Sequence, residues 1–136
     1  MTLCPCKSKL PYKDCCKRFH DGKALPPTAR DLMRSRFSAY ALRLIDYIIE
    51  STHPDYPNRP GNINAWKKDL LRFSERTRFD DLKILEFVDG EESSTVTFTA
   101  HLRQGSQDAS FTEKSFFNKV NGKWLYRSGE TKTSLV

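Results

Sequence analysis

No stretch of the sequence approaches the roughly 18 consecutive apolar residues that a membrane span requires. The most apolar run, residues 42–49, is interrupted by Arg43 and Asp46, so no membrane association is expected. Glycine and proline are sparse, 6 and 7 in 136 residues, which excludes collagen-like and wholly disordered readings. There is no Gly-rich phosphate loop, no Gly-x-Ser-x-Gly elbow and no His-Glu-x-x-His, so the familiar catalytic signatures are missing. Residues 1–3 lead into Cys4 without a basic and then apolar leader, and a reducing cytoplasm is the expected compartment. What is present describes a globular chain with one core: 38% hydrophobic, 29% charged and 12% aromatic residues.

Charge and cysteine are both concentrated at the start. The formal net charge is +6, and residues 1–24 supply +4 of it through Lys7, Lys9, Lys13, Lys17, Arg18 and Lys23 against Asp14 and Asp21. The same segment holds all four cysteines, Cys4, Cys6, Cys15 and Cys16, with none in the 120 residues that follow. A disulfide between adjacent Cys15 and Cys16, or across Cys4-Pro5-Cys6, would be badly strained, and a reducing compartment disfavours a disulfide framework. Burial as four unrelated core thiols is disfavoured by the surrounding Lys and Asp and by the lack of an apolar stripe. Metal binding remains. Four soft thiolates select zinc most readily, with an iron–sulfur cluster second because its usual spacings differ. Four protein ligands would close the tetrahedron and make such a zinc structural, replacing a core that about twenty residues cannot build. Four thiolates and one Zn²⁺ would also lower the local charge to about +2.

The run Cys4-Pro5-Cys6, Ser8, Tyr12 and Cys15-Cys16 resembles the SEC-C zinc motif, named for the tail of the preprotein translocase ATPase SecA. The motif's ligands carry over onto Cys4, Cys6, Cys15 and Cys16, and Lys7 and Lys9 stand where the motif usually has glycine. Further on, His20-Asp21-Gly22, Pro27-Thr28-Ala29, the run from Leu32 to Ala41, Asp46-Tyr47, Thr52-His53-Pro54 and Gly122-Lys123-Trp124-Leu125-Tyr126 resemble the YchJ family of bacterial proteins. That resemblance implies a SEC-C motif followed by a domain like nuclear transport factor 2, a cone-shaped sheet and helix enclosing a pocket. It implies no reaction.

The residues give the same architecture independently. Thr28 can cap a helix with Asp31 in its first turn, and Met33, Phe37, Tyr40, Ala41, Leu44, Ile45 and Ile48 recur at helical spacing, predicting one five-turn helix that ends before His53-Pro54. Asn62 or Asn64 can cap a second helix over residues 65–76 with Trp66, Leu70 and Phe73 inward. After Phe79 the period changes to two. A strand buried on both faces is expected around residues 82–87, then an alternating strand with Val96, Phe98, Ala100 and Leu102 inward, a third over 111–119, and a type I′ turn at Asn121-Gly122. Helices first and hairpin-linked strands afterwards predict an α+β fold, with an antiparallel sheet curled around the long helix. The expected division is a zinc knuckle over residues 1–24, the α+β domain over 27–130 and a loose tail over 131–136.

Candidate pocket residues are Arg34, Tyr40, His53, Glu113 and Ser115, with His53 and Glu113 an acid–base pair if the fold joins them. The structural alternative is that His53 caps the helix end and Glu113 pairs with a surface lysine. Arg34 and Arg36 must point to different sides of a helix, leaving one on the surface. Trp66 and Trp124 are expected as core anchors. Two functions follow. In the favoured one the basic knuckle, through Lys7, Lys9, Lys13, Lys17 and Arg18, docks on an acidic protein partner such as a chaperone or ribosome-associated protein. In the other the cone takes a small-molecule ligand or substrate. An open cone with convergent polar groups would favour the second, and a cone filled by Phe98, Phe111, Phe117 and Trp124 the first. Nucleic acid is a poor third, since only Tyr12 and Phe19 offer bases a stacking surface near the knuckle.

Overall fold

The structure is a computed structural model and describes residues 2–132. Four helices precede five strands: α1 (Lys17–His20), α2 (Ala29–Leu42), α3 (Ile45–Glu50) and α4 (Ile63–Glu75), then β1 (Arg78–Val88), β2 (Ser93–Gln104), β3 (Gln107–Asp108), β4 (Phe111–Val120) and β5 (Lys123–Lys132). No helix among the described residues is long and apolar enough to cross a membrane.

Thr28 caps α2 as the sequence predicts: its hydroxyl accepts from the Asp31 amide at 3.1 Å and donates to the Asp31 carboxylate at 3.0 Å. The helix stops earlier than its periodicity suggests. Arg43 takes a left-handed conformation, φ 61°, and the Leu44 amide turns back to the Ala39 carbonyl at 2.8 Å. This closing bond satisfies carbonyls that would otherwise be orphaned. The apolar stripe then resumes on a new axis in α3, which buries Ile48 and Ile49, so the expected five-turn helix is two helices with a left-handed joint. Asn62 caps α4 by accepting from the Ala65 amide at 3.1 Å.

The sheet is antiparallel in the order β1-β2-β4-β5, with the short β3 paired to the end of β2. Asn121 and Gly122 both have positive φ, 52° and 78°, as a type I′ turn demands. The expectation that β1 is buried on both faces fails. It is an edge strand whose only fully buried residue is Leu82, with Leu85 59% exposed. The opposite edge is covered: Tyr126 receives a bond from the His53 amide at 2.8 Å and donates its own amide to the Ser51 carbonyl at 2.9 Å.

The concave face carries Val96, Phe98, Ala100, Leu102 and Phe117, packed against Ala29, Leu32, Met33 and Phe37 of α2. Trp124 is the core anchor expected of it, its indole donating to the Pro27 carbonyl at 3.3 Å just before α2 begins. A shift of register between Phe116 and Phe117 inserts one extra residue into β5. The bulge sets Tyr126 opposite Phe117 and brings Gly129 opposite Ser115.

Candidate metal centre and cone pocket

Within residues 2–24 the chain makes a tight knuckle. Leu3 bridges to Pro11, the Cys4 amide donates to the Leu10 carbonyl at 2.8 Å, and the Lys7 amide donates to the Cys4 carbonyl at 3.2 Å. Lys7 and Lys9 have φ of 68° and 72°, so the two positions that suit glycine keep the left-handed backbone and impose it on lysine. The turn brings the four Sγ atoms of Cys4, Cys6, Cys15 and Cys16 within 4.8 Å of one another. Two of the separations are 3.6 Å (Cys6 to Cys15) and 3.9 Å (Cys15 to Cys16). Ligands about 2.3 Å from a tetrahedral ion lie roughly 3.8 Å apart. The donor set is close enough to suit a four-coordinate metal.

Cys6, Cys15 and Cys16 also perturb one another's protonation. Hydrogen bonds from Cys16 and Cys4, helped by the Ser8 hydroxyl and amide, pull the Cys6 thiol far down, while the Cys16 thiol is driven up by the bonds it donates. Burial pushes Cys15 up to about 11. Four thiolates cannot share this space unless a cation joins them.

The centre is seated on α2. Ser38, fully buried, lies between Cys16 and Cys4, with its hydroxyl 3.3 and 3.4 Å from their sulfurs and donating to Cys16. Arg34 donates to the Cys6 carbonyl at 3.0 Å. His20 is no ligand: Tyr12 donates to its Nδ1 at 2.7 Å, which leaves Nε2–H to donate to the Ser35 carbonyl at 2.8 Å. Burial, with the Asp21 charge second, raises the Tyr12 phenol to about 12, keeping it a donor. Of the basic residues, Lys17 is paired with Asp21 at 2.6 Å, and Arg18 bonds the Cys15 carbonyl and lies over the Phe19 ring. Lys7, Lys9 and Lys13 are exposed and, among the described residues, form no ion pair.

On the other side of α2 the cone is open. A cavity of about 350 Å³ lies between α2, α3, α4 and the concave face, and nine of its eighteen lining residues are aromatic. Its polar groups converge around Tyr126. The Tyr126 hydroxyl donates to Glu113 Oε2 at 3.1 Å, and the Ser115 hydroxyl donates to the same oxygen. A Cβ built on Gly129 would collide with this carboxylate and with the Tyr126 hydroxyl, so the missing side chain makes room for the pair. Burial, with the Glu113 carboxylate beside it, holds the Tyr126 phenol well above its ordinary range. Over the face of the same ring, at 4.6 Å, sits the Arg36 guanidinium. Its Nη1 donates to the Ile48 carbonyl, Ser51 Oγ and Thr52 Oγ1 at 3.0, 2.7 and 3.0 Å.

The sequence-predicted pocket residues divide accordingly. Tyr40, Glu113 and Ser115 line the cavity; Arg34 and His53 do not. His53 accepts the Asp55 amide on Nδ1 at 2.9 Å and shapes the turn ahead of Pro54, so the acid–base pair with Glu113 is not assembled. Glu113 is held by hydroxyls rather than a surface lysine. Neither arginine is on the surface, for Arg34 braces the knuckle while Arg36 enters the cone. Arg36 was findable, since it falls in phase with Met33, Phe37 and Tyr40. Of the four residues expected to fill the cone, Phe98 and Phe111 line it, whereas Phe117 and Trp124 are buried outside it. Trp66 is buried, as expected of a core residue, and also forms part of the cavity wall.

Comparison with known proteins agrees with this layout. The family described as YchJ, middle NTF2-like domain, matches residues 28–129. A UPF0225 protein of Actinobacillus succinogenes is 37% identical over 128 residues, covering 92% of this chain and 79% of its own length. A UPF0225 protein of Streptomyces coelicolor is 37% identical over 130 residues, covering 93% and 94%. The solution structure of a SEC-C motif containing protein from Rhodopseudomonas palustris superposes with a TM-score of 0.84 at 31% identity, covering 97% of this chain and all of that one. A crystal structure of a sec-c motif containing protein from Psychrobacter arcticus gives 0.78 at 24% identity, over 100% and 86%, a likeness of fold.

Proposed function

The chain belongs to the YchJ family, and on that premise we propose that it is a zinc-braced binder of small molecules, with the ligand held in the cone. The supporting observation is the convergence of Arg36, Glu113 and Tyr126 on an open, aromatic-lined cavity of about 350 Å³, a size and composition typical of ligand sites. Cys4, Cys6, Cys15 and Cys16 would hold the zinc, and with four protein ligands it would supply folding energy and no open position for substrate. The reading is of binding rather than turnover, because the one acid–base pair suggested by the sequence is dispersed.

Two measurements test it. Metal analysis of protein purified without chelator is expected to give one zinc per chain. Aromatic fragments such as indole are expected to shift the NMR resonances of cone residues in the unaltered protein, and Ala100→Phe, which fills the cone, to abolish the response. Failure of every fragment to perturb cone residues would sink the reading.

The exposed Lys7, Lys9 and Lys13 support a second reading, in which the knuckle docks on an acidic protein partner. Reversing these three charges is then expected to abolish capture of one acidic partner whose binding weakens with salt. Capture insensitive to both changes would dispose of it.

A further inference from the structure

Two opposite charges line the cone without touching. Among the described residues no ion pair joins Arg36 to Glu113. Arg36 is compensated by one carbonyl and two hydroxyls, and Glu113 by two hydroxyls, all of them neutral. Capacity is left over on both. Among the described residues every bond made by Arg36 uses Nη1, every bond made to Glu113 uses Oε2, and neither the remaining guanidinium nitrogens nor Oε1 is sealed away. The two groups bracket one side chain: the guanidinium covers the Tyr126 ring face, and the carboxylate receives its hydroxyl.

Charges withdrawn from bulk water gain most from an opposite charge in the same site. A ligand with one charge would satisfy one of these groups and leave the other as it was; a neutral ligand would satisfy neither. The wall beside them is aromatic. Tyr56 lies 5.7 Å from Tyr126 and nearly parallel to Trp66, 16° between planes at 6.4 Å, and the Arg59 guanidinium, one of whose nitrogens is buried without a partner, lies over the Trp66 ring at 5.1 Å from its centroid. Such a wall favours a flat ring.

Building on the small-molecule reading above, we propose that the cone binds an aromatic zwitterion, its ring against Tyr56, Trp66 and Tyr126, its anionic group on Arg36 and its protonated amine on Glu113. Both unpaired charges are then neutralised by one ligand of no net charge.

The test compares four probes that share one ring, by calorimetry on the full zinc-loaded chain: tryptophan with both charges, indole-3-acetate with the anion, tryptamine with the cation, and indole with neither. Tryptophan is expected to bind at least tenfold tighter than the other three. Arg36→Met should reduce it to the level of tryptamine, and Glu113→Gln to that of indole-3-acetate. The ranking on the unaltered protein decides the matter even if Arg36→Met fails to fold. Indole, tryptamine or indole-3-acetate binding as tightly as tryptophan overturns the zwitterion while leaving the cone a binding site. Binding of none of the four overturns both.

Discussion

Lys7 and Lys9 carry side chains through a turn that suits glycine, because the cysteine spacing requires a left-handed backbone on either side of Ser8. A non-glycine residue there costs about 1 kcal/mol, more than glycine's added freedom in the unfolded chain takes back. Lys7→Gly and Lys9→Gly are therefore expected to strengthen the knuckle, seen as zinc retained at higher chelator concentration; unchanged retention would mean that the turn is unstrained. Ser38 acts at one remove. Its hydroxyl donates to Cys16 and orients a pair of sulfurs from within α2. Groups of this kind typically contribute 10–100-fold to metal affinity, so Ser38→Ala should lower zinc affinity by about that factor with the helical circular dichroism unchanged. An effect confined to folding, with affinity intact, would reduce Ser38 to a packing residue.

Among the elements, the joint between α2 and α3 is where the sequence was least informative. Arg43 closes α2 in a left-handed conformation with no glycine or asparagine to announce it, and the apolar spacing runs across the break as if the helix continued. Arg43→Gly should stabilise the fold by about 1 kcal/mol, a rise of a few degrees in Tm; a fall would show that the arginine side chain contributes more than its backbone costs. By contrast, the close cluster of four cysteines and the Asn121-Gly122 turn were legible because each is a local pattern complete within a few residues. The α+β order was legible from the change of hydrophobic period after Phe79. The pocket was legible only in half. Glu113, Ser115 and Tyr40 could be picked by type, but the partners of Glu113 depend on a bulge in β5 and on the bare Cα of Gly129, which no single-strand pattern encodes. His53 was misplaced for a similar reason: its ring is committed to the turn at Asp55, and its backbone rather than its side chain meets β5.

Across the whole molecule, α2 is shared between two cores. One face packs Ala29, Leu32, Met33 and Phe37 into the sheet, and the buried apolar cluster there contains no residue of the knuckle. The knuckle's own cluster is little more than its cysteines and Tyr12. What joins them is mostly polar: Ser38 to the sulfurs, His20 to the Ser35 carbonyl, Arg34 to the Cys6 carbonyl, and the edge of His20 against Tyr47. Hydrogen bonds of this kind contribute about 1 kcal/mol each, too little to hold some twenty residues without a metal and too little for their loss to unfold a separate core. Removing the zinc is thus expected to release residues 2–24 while the cone stays folded. Amide hydrogen exchange with and without chelator reads this directly. Protection should vanish in the knuckle, fall around Ser35 and Ser38 where its bonds end, and persist through β2, β4 and β5. Loss of protection throughout the sheet would mean that the metal centre is part of one cooperative unit and that the two cores are not separable.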